Sequence, residues 1–329
     1  MRVRITLVLL AALIAGAVFA QTLTVYSGRG EALVQPLVDR FTAETGIRVA
    51  IRYGGTAELA VLILEEGRAS PADVFWGQDA GALGALSSAG RLRALPDGLT
   101  ADLPSIFVSR SGVWVAASGR ARVLAYSPER TAGAAWPASV LDLTDPIYRG
   151  RVGWAPTNGS FQAFVTAMRR VLGEAEAAAW LRGMIANDTQ AYRNNTTLVE
   201  AIAAGEIDYA ITNHYYLLRY LANDPGYPVA QGFFADGDLG NLVNVAGAAI
   251  IDTSRNVEAA ERFLAFLLAD EAQAYITDDV FEYPVVASVT PHPALVAFEE
   301  LLAASPDVDL DVLEDLDGTL ELLREVGLL

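Results

Sequence analysis

Residues Leu23 to Trp76 read LTVYSGRGEALVQPLVDRFTAETGIRVAIRYGGTAELAVLILEEGRASPADVFW, and the spacing of their apolar positions decides the fold class. Leu23-Thr24-Val25-Tyr26 is short and apolar, as a buried strand is, and Ser27-Gly28-Arg29-Gly30 turns the chain after it. Leu33, Leu37, Val38 and Phe41 then recur at helical spacing as far as Thr45-Gly46, where glycine ends a helix at no steric cost. Ile47 to Tyr53 is the next expected strand and Gly54-Gly55 the break after it. Glu58 to Glu66 is a helix ending at Gly67, and Ala72 to Trp76 is a third strand. This alternation predicts a parallel sheet with helices on both faces.

The same pattern returns past the middle of the chain. Arg151 to Trp154 reads as a strand, and Thr157-Asn158-Gly159-Ser160 as a loop opening a helix at about Phe161. Ala175 to Ile185 is helical. Asp208 to Thr212 is a strand feeding Asn213-His214-Tyr215-Tyr216 and a helix from Leu217 to Leu221. No short repeat or low-complexity linker intervenes, so two α/β lobes joined by several tight crossings are expected. In open α/β sheets ligands sit beyond the carboxyl ends of strands. Three polar loops fall there: Ser27 to Gly30, Thr157 to Ser160, and Asn213 to Tyr216.

Residues 1–20 read as an export signal. Arg2 and Arg4 precede an apolar run from Ile5 to Phe19, which ends in Val18-Phe19-Ala20 before Gln21. That run is too short to span a bilayer comfortably, and later apolar stretches such as Phe263 to Ala269 are shorter still. The mature chain of roughly 309 residues, from about Gln21, is long enough for two lobes. It contains no cysteine, which excludes disulfides, thiolate metal sites and a cysteine nucleophile. The formal charge of −17 becomes −19 once Arg2 and Arg4 are lost, and such a surface repels nucleic acid and anionic lipid.

Catalytic patterns are absent. The chain has two histidines, His214 and His292, and no Gly-x-Ser-x-Gly elbow, Walker-type phosphate loop or His-Glu-x-x-His pair. The sharpest feature is the adjacent pair Tyr215 and Tyr216 at a strand-to-helix junction. A phenolate is a hard, anionic oxygen ligand, and with a reference pKa near 10 it persists at neutral pH only beside strong positive charge. Fe³⁺ meets that demand, whereas Mg²⁺ and Ca²⁺ prefer carboxylates. Beside Leu217, Leu218 and Leu221 the same pair also fits ordinary core packing.

Six segments carry a family resemblance: Leu23 to Arg29, Pro71 to Trp76, Ser118 to Val123, Ala155 to Phe161, Tyr192 to Asn195, and Asp208 to Tyr216. From about Leu23 to Leu295 the sequence resembles the periplasmic ferric-iron-binding subunits of ABC importers. The resemblance implies the two-lobed α/β periplasmic-binding-protein fold of type II, with the ligand cleft between the lobes. Residues 21–122 plus 247–297 would form the N-terminal lobe, and 123–246 plus 298–329 the C-terminal lobe. It implies Tyr215 and Tyr216 as iron ligands, and Thr157, Asn158, Gly159 and Ser160 as the loop holding a synergistic anion such as carbonate. A helix start offers the backbone N–H donors for that.

Asn195 and Asn213 match polar residues that support the anion or the tyrosines, although turn and cap duty explains Asn195 equally well. Some members place a histidine and a glutamate where Gly30 and Gln78 stand here. Gln78 offers at most a carbonyl oxygen, with Asp79 and Glu31 close by in sequence. Other members hold carbonate with an arginine in the first loop, which is the place of Arg29, and a guanidinium suits an oxyanion. Arg122 aligns with an arginine near the family's cleft, and a further tyrosine ligand is open among Tyr26, Tyr53 and Tyr192.

The resemblance thus implies a periplasmic carrier, expected to be monomeric, that catalyses nothing and delivers ferric iron to an importer permease. The alternative is a carrier of the same fold for an oxyanion, thiamine or a polyamine, with Trp76 a stacking platform for the last. An exported hydrolase is the remaining reading, opposed by the missing nucleophile motif.

Overall fold

The computed structural model describes residues 22–104, 107–308 and 310–329. The expected export signal lies outside the described residues. Among those described, no helix is long and apolar enough to cross a membrane.

Among the described residues nine strands form one continuous sheet: β1 (Thr22–Ser27), β2 (Arg48–Tyr53), β3 (Val74–Gly77), β4 (Val115–Tyr126), β5 (Val152–Trp154), β6 (Gln190–Ala191), β7 (Tyr209–Asn213), β8 (Ala230–Gly232) and β9 (Val243–Ile250). Their order is β2-β1-β3-β9-β4-β7-β5-β6, with β8 also on β4. The expected parallel pairing holds at the two flanks, where β1 pairs with β2 and β3, and β5 with β6 and β7. It fails in the middle, where β9 runs antiparallel to β3 and β4, and β7 antiparallel to β4. The spacing of apolar residues reports which faces of a strand are buried, and carries no information on the direction of its neighbour.

The centre is where the two lobes join. The first part of β4 pairs with β9 as far as Ala121 opposite Val243, and from Arg122, opposite Asn213, it pairs with β7. A bulge between Ala116 and Ser118 turns the strand just before this handover. All of β4 but its last residue is buried, including Arg120 and Arg122.

Helices flank each half. Glu31–Thr45 buries Leu33, Val34, Leu37, Val38 and Phe41 on one face and ends at Gly46, whose φ of 72° is the left-handed cap expected there. Phe41, Trp76 and Phe263 meet edge to face at 5.1 and 6.0 Å between neighbouring centroids, and anchor the first lobe. Trp154, Phe161, Phe164 and Trp180 do the same in the second. Each such ring buried contributes about 2 kcal/mol or more to stability. The C-terminal segments Leu310–Glu314 and Leu316–Glu325 lie against both Ala80–Ser88 of the first half and Gly159–Leu172 of the second.

Candidate functional site

Helix His214–Asn223 starts directly after β7, so Tyr215 and Tyr216 stand in its first turn. The helix opens earlier than the spacing of Leu217 and Leu221 suggests, because His214 and Tyr215 are already buried in its first turn. Adjacent positions in a helix diverge by about 100°, yet these two rings stack, with centroids 4.2 Å and planes 29° apart. Their hydroxyls share one donor: Gln78 Nε2 lies 3.1 Å from each phenol oxygen. The two oxygens are therefore no more than twice that distance apart. Gln78 comes from the end of β3 in the other lobe and presents its amide nitrogen to the phenols, not its carbonyl oxygen.

Burial pushes the Tyr215 phenol well above its ordinary pKa; Tyr216 and Glu282 add to the rise, while Arg29 and Arg120 oppose it. Arg29 Nη2 donates to Glu282 Oε1 at 2.7 Å, with both side chains buried, and Ser118 Oγ donates to the other carboxylate oxygen. The Arg29 guanidinium sits 5.7 Å from the Tyr215 ring centre, and its Nε and Nη1 have no hydrogen-bond partner among the described residues. Burial works against the Arg29 charge, but Glu282 and the tyrosines outweigh it and hold its pKa above the ordinary value.

Arg120 is 1% exposed, with both Nη atoms unpartnered among the described residues. Arg122 binds backbone instead: Nη1 donates to Ser160 O at 3.1 Å and Nη2 to Ile211 O at 3.3 Å. Burial, and then Arg120, lowers its pKa to about 9.

The loop before helix Gly159–Leu172 is closed by Asn158, whose Oδ1 accepts from Ser160 N at 3.1 Å and Ser160 Oγ at 2.6 Å. Asn195 Nδ2 reaches Ser160 Oγ at 3.2 Å, and Asn194, not Asn195, caps the helix beginning there. Asn213 is buried with neither amide atom hydrogen-bonded among the described residues, facing a narrow gap shared with Arg120, Arg122, Ser160 and Asn244. Thr157 is exposed, and its hydroxyl donates to Arg193 O at 3.4 Å. Gly159 allows a close approach between the lobes: a Cβ there would lie 2.7 Å from Asp79 Oδ2 and 2.9 Å from Thr56 Cβ.

Arg29, Gln78, Thr157, Asn158, Gly159 and Tyr216 line one interlobe cleft of about 660 Å³, while Tyr215, Arg120, Arg122, Ser160, Asn195 and Asn213 are buried and do not line it. Tyr53 and Glu31 also line it, with Tyr53 Oη donating to Gln35 at 3.1 Å. Tyr26 and Tyr192 are engaged elsewhere, by Glu66 at 2.9 Å and Glu206 at 3.0 Å. Trp76 is 3% exposed and packs in the core, so it offers no stacking platform to a ligand. Among the described residues no cluster of three His, Cys, Asp or Glu is placed to hold a metal.

Sequence reasoning places Asp79 only as a neighbour of Gln78, and it passes over Arg120 and Glu282. Asp79 caps helix Ala80–Ser88 by accepting from Ala82 N at 3.0 Å, and its Oδ2 is unpartnered among the described residues. Burial raises its pKa to about 6 against the pull of Arg120 and the Ala82 N–H. Arg120 sits two positions before Arg122, the spacing that puts both on one face of a strand, and this signal was available. Glu282 had none, since 253 residues separate it from Arg29.

Comparison with known proteins gives concordant matches. Residues 69–313 match the bacterial extracellular solute-binding protein family. The major ferric iron-binding protein of Neisseria meningitidis serogroup B is 34% identical over 327 residues, covering 96% of this chain and 98% of the relative. Iron-bound HitA of Pseudomonas aeruginosa superposes with a TM-score of 0.88 at 36% identity, over 93% of this chain and 99% of that one. Trichodesmium FutA in complex with iron and citrate superposes with a TM-score of 0.74 at 28% identity, over 94% and 100%.

Proposed function

The chain belongs to the bacterial extracellular solute-binding protein family, and from that premise we propose that it carries ferric iron, with a small anion, in the cleft between its lobes. The supporting observation is the convergence of the Tyr215 and Tyr216 oxygens on Gln78 Nε2, 3.1 Å from each. Two phenols held that close can become two phenolates on one hard trivalent cation. Gln78 then acts from the opposite lobe as the donor that keeps the phenols together while the cleft is empty of iron. Arg29 offers Nε and Nη1 to the anion, and the Thr157 to Ser160 loop offers the Gly159 N–H at its helix start, the Ser160 and Phe161 N–H groups being taken by Asn158, with Asn195 and Asn213 beside it.

Residues 21–122 with 247–297 move as one body in this reading, and 123–246 with 298–329 as the other, rotating about the β4–β9 crossing. The protein works outside the cytoplasmic membrane, after removal of residues 1–20. The closed form is what an ABC-type permease recognises, and delivery involves no catalysis.

Ferric salt added to the metal-free protein should produce a visible tyrosinate-to-iron band. Tyr215→Phe and Tyr216→Phe delete only an oxygen, so each should unfold at the parent's temperature while losing at least about a hundredfold in ferric affinity, close to 2.7 kcal/mol. Two variants that bind iron like the parent would return the pair to core packing. An oxyanion carrier is the second reading, favoured by the unpartnered donors of Arg29 and Arg120. It predicts phosphate binding with no such band.

A further inference from the structure

Glu282 enters the interior through a strained turn. Phe281 before it has φ 62°, a left-handed conformation that an aromatic residue rarely takes. Glu282 is thereby fully buried, with one carboxylate oxygen accepting from Arg29 and the other from Ser118. It does not line the cleft, whereas Arg29 does. Arg29 therefore joins the buried Glu282 to the cleft, and its Nε and Nη1, buried and without a partner among the described residues, are the donors left for an anion.

We propose that Glu282 is a built-in counter-anion that sets the charge of the anion carried with the metal, holding it to a dianion of the carbonate type. The proposal rests on the ferric reading above, and the count of charges carries it. The buried charges linked to the tyrosines, directly or through Arg120, are Arg29, Arg120 and Arg122 against Glu282 and Asp79, which leaves one positive charge. At the cleft rim Glu31 and Glu58 balance Arg193 and Arg219. Fe³⁺ on two phenolates adds one more positive charge, so a dianion returns the site to neutrality. A trianion overshoots, and an unbalanced charge is costly where water is excluded. Removing the charge of Glu282 raises the count by one and releases Arg29 Nη2, which suits a trianion.

The test compares malonate, a dianion, with citrate, a trianion, titrated into iron-loaded protein in bicarbonate-free buffer and followed through the tyrosinate band. Citrate also draws iron from the protein to an extent set by each protein's ferric affinity, so the anion affinities are compared at equal measured iron occupancy. Glu282→Gln should move the citrate-to-malonate preference toward citrate by about tenfold or more, the effect of one close charge pair. Glu282→Asp and Ser118→Ala, which keep the charge, should leave the ratio near the parent's. Arg29→Gln should move it the opposite way, and the double variant with Glu282→Gln should restore it. These last two decide the matter even if Glu282→Gln does not fold. A ratio that ignores the charge at position 282, with both affinities falling together, overturns the proposal and leaves Glu282 a packing residue. Absence of the band in the parent would sink the ferric reading alone. Calorimetric titration of the two anions into iron-free protein must then still show the shift, since the buried charges are present without metal, and no shift there overturns the proposal too.

Discussion

A phenol buried as fully as Tyr215 keeps its proton until a cation displaces it. Its pKa is raised in the metal-free protein and must fall steeply in the ferric complex, so iron binding releases protons and weakens as pH falls. Two phenols leaving two protons give a loss approaching a hundredfold per pH unit below neutrality. Asp79, with a pKa of about 6, gains a proton over the same range and removes a negative charge beside Arg120, which acts in the same direction. We expect ferric affinity and the tyrosinate band to decline together from pH 8 to pH 5, with a shallower slope in Tyr216→Phe. An affinity independent of pH would exclude phenolate coordination. At this scale the sequence announces what sits in a loop between a strand and a helix, which is why Tyr215, Tyr216, Arg29 and the Thr157 to Ser160 stretch stand out. It is silent about Glu282, whose meaning comes from a partner 253 residues away.

Helix Gly159–Leu172 begins against the opposite lobe, and Gly159 is what permits it. Gly159→Ala should strengthen the isolated helix slightly, yet its Cβ would press on Asp79 Oδ2 and Thr56. We expect unchanged or higher thermal stability, a larger radius of gyration by solution scattering with iron present, and ferric affinity lowered by about tenfold or more. Parent-like compaction and affinity in this variant would show that the contact does not limit closure. At the far end of the same helix Arg169, whose side chain is 5% exposed, bonds Asp315 Oδ2 at 2.8 Å and Thr319 Oγ1 at 2.8 Å. Arg169→Ala removes these bonds, although Thr319 keeps Thr166 and Asp315 can reach water, and should cost about 1–3 kcal/mol in urea unfolding, with little effect on iron affinity in the folded protein. Elements with one buried face were legible, as Glu31–Thr45 shows: five apolar residues at helical spacing, then a glycine. Strand β4 was not. It is buried on both faces and carries Ser118, Gly119, Arg120 and Arg122, so neither alternation nor an apolar run marks it.

The whole molecule carries a formal charge of −17, whereas the buried site is rich in arginine, so net charge is no guide to what the cleft admits. The two-lobed plan was legible because strand and helix alternate on either side of an uninterrupted middle. The manner of joining was not, because strand pairing across the centre depends on residues far apart in the chain. That joining has a thermodynamic consequence. Val115 to Ala121 completes one lobe's sheet and Arg122 to Tyr126 the other's, within one strand. Neither lobe can melt without taking half of its neighbour's central ladder with it. Scanning calorimetry of the iron-free protein should therefore show a single endotherm, with calorimetric and van't Hoff enthalpies in agreement. Two resolved endotherms would mean that β4 can be severed at Arg122 at little cost. With a single endotherm, whatever the cleft binds protects both lobes alike, and the gain in melting temperature grows with the logarithm of ligand concentration.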